Sequence, residues 1–182
     1  MVKNMQRMYS LKGIFKKLWY SSSEVKHMKH VYYYDFPIGR LAIADNTEAI
    51  THISIHDGFD KEGYQLIETP LIKKASLQLS EYFEGKRKSF ELPLSPKGTD
   101  FQKRCWEALQ TIPYGETWSY KQLAQAIGNE KACRAVGGAN NKNPIIIVIP
   151  CHRVIGANGQ LVGYGGGLPI KEALLTLERD YR

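Results

Sequence analysis

A thiol, an imidazole and a guanidinium stand side by side at Cys151-His152-Arg153. They follow Pro150 and, before it, the apolar run Ile145-Ile146-Ile147-Val148-Ile149, which Asn143-Pro144 closes at its other end. Five β-branched residues in a row have the composition of a short strand buried on both faces. The two prolines lack an N–H and should stop its pairing at each end. A cysteine at the rigid exit of such a strand is fixed between apolar walls, as a nucleophile needs to be. The competing reading is ordinary: a free cysteine is most often a small inert hydrophobe. In extended geometry His152 points away from Cys151, so it can serve as a base only through a bent backbone or a bridging water. Glu178 falls one residue past an inward-facing Leu177 on the expected last helix. There it could meet His152, orient the ring and raise its basicity, completing a Cys-His-Glu relay. Otherwise it is a solvated surface charge.

The elements that must position these residues fit a chain long enough for one domain or two small ones. The cysteines Cys105, Cys133 and Cys151 show neither CxxC nor Cys/His finger spacing, so no metal site is expected. Their odd, sparse number argues against a disulfide framework and fits a reducing, cytoplasmic setting. No apolar run approaches the ~20 residues of a membrane span, and no membrane partner is expected. The net charge of +7 is uneven: +6 sits in residues 1–30, −2 in 31–98 and +3 in 99–182. Only the C-terminal excess bears on nucleic-acid binding.

Residues 1–29 read as a basic extension outside the fold, expected to be poorly ordered. Residues 30–95 read as a small N-terminal sheet with one helix. Its strands are Val31–Tyr34, Arg40–Asp45 and Ala49–His56, separated by turn signals. His52 and His56 share the face opposite Ile53 and Ile55, and the pattern favours solvent-facing sheet histidines over a metal pair. Helical spacing covers residues 69–84, ended by Gly85.

Residues 96–182 read as a second, helical domain. Thr99 and Asp100 can cap a helix with Phe101, Cys105, Trp106 and Leu109 on its apolar stripe. A helix from Trp118 to Ile127, a stop at Gly128-Asn129 and a helix from Glu130 to about Asn140, capped by Asn129, outline a helix-turn-helix. The second of these has almost no bulk: Ala132, Ala135, Gly137, Gly138 and Ala139 surround one long side chain, Arg134. Such a surface suits close approach to DNA and close packing on a neighbouring helix equally well. A glycine-rich loop around Tyr164 and a final helix opened by Pro169 complete the chain.

Ile149-Pro150-Cys151-His152-Arg153-Val154-Ile155 resembles the acceptor motif of the O6-alkylguanine-DNA alkyltransferases, also called methylated-DNA–protein-cysteine methyltransferases. Ile112-Pro113-Tyr114-Gly115-Glu116-Thr117, Ser119-Tyr120, Arg134-Ala135-Val136-Gly137, Asn143-Pro144 and Gly163-Tyr164 with Gly166-Gly167-Leu168 resemble further blocks of that family in order. The likeness implies an α/β, two-domain fold: an RNase H-like N-terminal part, then a helical part carrying the helix-turn-helix and a short active-site strand. It implies DNA repair by irreversible, single-turnover transfer of the alkyl group from O6-alkylguanine to Cys151, with O4-alkylthymine as a further candidate substrate and no cofactor. A Glu178–His152–water–Cys151 relay would activate the thiol. A monomer would bind double-stranded DNA through the minor groove and flip the target base. Arg134 would fill the vacated stack, while Ala135, Gly137 and Gly138 line the groove. Tyr120 would donate to the base, Asn143 would brace the helices, and Val154 and Tyr164 would wall the pocket. Gly165 departs from the Ser or Ala of some members, which implies a roomier pocket. The rival within the resemblance is an alkyltransferase-like protein that binds the lesion without transfer, usually with the cysteine replaced. A thiol hydrolase and a purely structural DNA-binding domain are the remaining alternatives.

Overall fold

The computed structural model describes residues 28–55 and 59–182; the expected extension, apart from Met28 and Lys29, and His56 lie outside them. Strands β1 (His30–Phe36), β2 (Gly39–Asp45), β3 (Ile50–Ile55) and β4 (Gln65–Leu66) form one sheet in the order β3-β2-β1-β4. The β1–β2 pair is a hairpin in which Phe36 faces Gly39, whose φ of 112° a side chain would strain. β2 has a neighbour on each side, and Leu41 to Asp45 are all buried. Leu41 and Ile43 face the main core, while Ala42 and Ala44 face a smaller cluster with Val31.

Helix α1 (Pro70–Phe83) is capped by Thr69, whose hydroxyl oxygen accepts from Ile72 N at 3.1 Å, and Gly85 past its end has φ 71°. Thr69 also donates to the buried Asp45, so one side chain fastens the helix start to β2. Helix α2 (Asp100–Leu109) opens on a complete capping box between Thr99 and Gln102. A two-residue strand β5 (Trp118–Ser119) precedes α3 (Tyr120–Ala126), and Ser119 caps that helix, so it starts two residues later than its sequence suggests. After Gly128 (φ 73°) a 3₁₀ turn (Glu130–Ala132) leads into α4 (Cys133–Asn141). Asn129 makes no side-chain cap there, contrary to expectation. A second 3₁₀ turn holds Cys151–Arg153, β6 (Val154–Ile155) pairs in parallel with β5, and α5 (Leu168–Asp180) ends the fold.

The expected active-site strand at Ile145–Ile149 is not a strand. Ile146 N donates to Ile53 O at 2.9 Å and Ile53 N donates to Pro144 O at 2.9 Å, a single bridge to β3. The chain then turns: Ile149 N reaches back to Ile145 O at 3.0 Å, and Ile147 takes φ 72°, a conformation that a β-branched residue rarely adopts. Ile145, Ile147 and Ile149 are buried all the same, because a turn can bury apolar side chains as fully as a strand can. One core runs through both halves, from Leu41, Ile53, Leu79 and Tyr82 to Trp106, Leu123, Ile149 and Leu174.

His52 also departs from expectation. It is half-buried rather than solvent-facing, edge-on to the rings of Phe59 and Tyr64 and 3.2 Å from the Tyr64 hydroxyl. Cys105 lies in the core, as its place on the α2 stripe suggests.

Candidate active site

Cys151 opens its 3₁₀ turn with 3% of its surface exposed. Its carbonyl accepts from Asn140 Nδ2 at 3.2 Å, and its N–H donates to Ile149 O at 2.8 Å. Asn143 holds the preceding loop from inside: Oδ1 accepts from Ile145 N at 3.0 Å and Nδ2 donates to Ile149 O at 2.8 Å. The Asn143 side chain therefore staples the two ends of the apolar turn to each other. Burial pushes the Cys151 thiol up to about 11, against the opposing pull of the Asn143 amide and the Lys171 ammonium. The resting group is a protonated thiol that needs a base.

His152 is fully buried, and Nε2 lies 2.8 Å from Glu178 Oε1. Burial pulls the imidazole below its ordinary range, and the nearby Glu178 opposes this only in part. Glu178 does raise its basicity, as expected, but burial outweighs that contribution and the net shift is downward. An ionised carboxylate can only accept, so the neutral ring carries its proton on Nε2. Nδ1 is then a bare acceptor, buried and without a hydrogen-bond partner among the described residues.

Glu178 is a convergence point. Oε1 accepts from His152, from the Tyr82 hydroxyl at 2.8 Å and from Arg153 Nη2 at 2.9 Å. Oε2 accepts from Arg153 Nε at 2.8 Å and from Gly115 N at 3.1 Å. Burial alone would raise this carboxyl, but the donors from His152 and Arg153 outweigh it and hold the group down at about 2. Tyr82 comes from α1, so the first half of the chain supplies part of this network. Arg153 also donates to Ile112 O at 2.6 Å.

Burial raises the Tyr120 and Tyr164 phenols, and the neighbouring Cys151 adds to the rise. Tyr120 donates to Val162 O at 3.2 Å, whereas the buried Tyr164 hydroxyl has no partner among the described residues. Val154 is fully buried, and its carbonyl accepts from Lys171 Nζ at 2.6 Å. On α4, Val136, Ala139 and Asn140 face the core while Arg134, Ala135 and Gly138 are exposed. A Cβ on Gly138 would meet nothing within 4 Å, and one on Gly137 would make ordinary contact with the Tyr120 ring at 3.6 Å. Packing inside the molecule therefore does not require these glycines. Gly165 has the same latitude: a Cβ there would come 3.6 Å from Asn141 O. Among the described residues no cluster of His, Cys, Asp and Glu could hold a metal, and no helix is long and apolar enough to cross a membrane.

Sequence reasoning missed Tyr82, Asn140 and Lys171 and gave Arg153 no role. Lys171 was detectable: it precedes Leu174 by three residues and Glu178 by seven, which puts it on their stripe. Asn140 and the Tyr82 hydroxyl carried no such signal, since their partners lie on remote segments.

Residues 29–96 match the family model described as 6-O-methylguanine DNA methyltransferase, ribonuclease-like domain, and residues 100–180 the one described as its DNA binding domain. The methylated-DNA–protein-cysteine methyltransferase of Methanosarcina acetivorans is 50% identical over 153 residues, covering 80% of this chain and 95% of the relative. The constitutive enzyme of that name from Bacillus subtilis is 51% identical over 150 residues, covering 79% and 91%. The crystal structure of Mycobacterium tuberculosis OGT in complex with DNA superposes with a TM-score of 0.80 at 45% identity, covering 84% of this chain and 94% of that one.

Proposed function

The chain belongs to the methylated-DNA–protein-cysteine methyltransferase family, and from that premise we propose that it repairs DNA by moving the alkyl group of O6-alkylguanine onto Cys151. The observation that carries this reading is a buried thiol followed directly in the chain by a buried imidazole whose Nε2 rests on a buried carboxylate. His152 Nδ1 takes the thiol proton through one water, and Glu178 stabilises the imidazolium that forms. The thiolate attacks the alkyl carbon, an S–C bond forms as the C–O6 bond breaks, and the electron pair stays on the guanine. Tyr120 supplies a proton toward the departing base, releasing Val162 O to do so. The thioether has no route back, so each molecule reacts once.

DNA is the macromolecular partner, and the exposed Arg134, Ala135 and Gly138 face of α4 supports entry into the minor groove, which is only about 6 Å wide. Glycines that no internal contact demands fit an external surface pressing close. Arg134 would replace the flipped base in the stack, and Val154 with Tyr164 would wall the pocket that receives it. Gly165 leaves that pocket room for groups larger than methyl.

Intact mass spectrometry after incubation with an O6-methylguanine oligonucleotide tests the reading. The expected outcome is one adduct of about 14 Da, mapped to Cys151 and absent from Cys151→Ala, since a methyl replaces the thiol hydrogen. Tight lesion binding without a mass gain would replace it with lesion recognition alone, and repeated turnover would replace it with hydrolysis.

A further inference from the structure

Behind the turn that ends at Cys151 lies a cavity of about 620 Å³ with neither Cys151 nor His152 on its wall. Its volume falls within the range of about 300–1,000 Å³ usual for small-molecule sites. One side is apolar, built by Phe90, Leu94 and the buried Ile147. The other side gathers donors at a single ring. Lys88 Nζ lies 5.7 Å from the centroid of Tyr114, and the guanidinium carbon of Arg153 lies 5.7 Å from the same centroid.

These donors are not used up inside the molecule. The Tyr114 hydroxyl is buried and has no hydrogen-bond partner among the described residues. Lys88 is exposed, and the acids nearest it in sequence are taken: Glu84 by Lys86 and Glu81 by Arg87. Arg153 has five N–H groups and spends three of them, two on Glu178 and one on Ile112 O. A phenylalanine at 114 would fill the same space without stranding a hydroxyl, so the oxygen is best explained by an acceptor that comes from outside. The one acid on the cavity wall, Glu107, is exposed and would repel a second negative charge on an incoming molecule. Surplus donors facing an apolar wall suit one carboxylate carried on a flat apolar body.

We propose that this cavity binds an aryl carboxylate, a monoanion whose carboxylate meets Lys88 Nζ and the Tyr114 hydroxyl while its ring lies against Phe90 and Leu94. Binding there is independent of alkyl transfer and is tested without it. The full chain is titrated with 4-phenylbutyrate by calorimetry and ligand-observed NMR, with 4-phenylbutanol as the neutral counterpart. The expected Kd for the carboxylate is about 0.1–1 mM, and the alcohol should bind at least about 10-fold more weakly. Lys88→Met and Tyr114→Phe should each weaken the carboxylate about 5-fold and leave the alcohol unchanged, whereas Glu107→Gln should tighten the carboxylate about twofold. Lys88 and Glu107 are exposed and Tyr114→Phe removes only an unpartnered hydroxyl, so melting temperatures should match the wild type. A loss confined to the carboxylate in either of the first two variants supports the site. Equal affinity for acid and alcohol, an acid affinity that neither variant changes, or no binding at about 5 mM, well above the expected Kd, overturns it.

Discussion

Among the described residues there are two buried carboxylate–imidazole pairs, one in each half. In the sheet, Asp45 lies 2.9 Å from His30 Nδ1 and also takes Thr47 N at 3.0 Å and the Thr69 hydroxyl. In the helical half, Glu178 lies 2.8 Å from His152 and also takes Arg153, Tyr82 and Gly115 N. Both carboxylates are fully buried and both are well supplied with donors. The partners differ in what they attach to. Asp45 joins strand to helix start through Thr69, so its network ends in structure. Glu178 joins a helix to a ring whose other nitrogen is bare and whose neighbour in sequence is a thiol. An acid–imidazole pair becomes machinery through what the second nitrogen faces, not through the strength of the pair.

The sharpest way to break that contrast is His152→Ala. With the internal base present, moving the proton from thiol to imidazole leaves net protonation unchanged. Transfer should therefore be flat from about pH 7 to about pH 10, between a lowered imidazole and a thiol near 11. Without the base the rate should track free thiolate, rising about tenfold per pH unit and falling short by about 10³-fold or more at pH 7. A flat profile in the variant would remove His152 from the mechanism. Glu178→Gln comes next, because it strands Arg153 as a buried cation. Chemical denaturation should show a loss of about 3–5 kcal/mol, together with slower transfer. The same carboxylate carries an acid limit. Its folded-state value of about 2 lies below the ordinary one, so its contribution is complete above about pH 4.5 and is lost as pH falls toward 2. Asp45→Asn should cost about 1–3 kcal/mol in the same denaturation series yet leave the transfer rate of the folded protein unchanged. A slowed transfer there would erase the distinction between the two pairs. Tyr82→Phe is the mildest change, about 1 kcal/mol of stability, read as a shift in the denaturation midpoint.

Much of this was legible in the chain. Alternation and turn residues marked β1 to β3, and Thr99 stood where a helix start needs an oxygen. Cys151, His152 and Glu178 were legible because nucleophile, base and orienting acid are chemically distinctive types. The Ile145–Ile149 segment was misread because β-branched composition reports burial, while the left-handed turn at Ile147 is imposed by the bridge to β3 and the hydrogen bond that closes on Ile145. His52 was misread because Phe59 and Tyr64, well separated in sequence, fold over its face.

The bridge from Ile53 to Pro144 and Ile146 reaches beyond topology. It makes the sheet one datum from which the Cys151 sulfur is levelled, since the turn that ends there is bridged to β3 as well as bonded to Asn140 on α4. Substitutions that tilt β3 should therefore show as altered chemistry on an unchanged grip of the double helix. Strand residues remote in sequence from Cys151 would then govern how fast the alkyl group is moved.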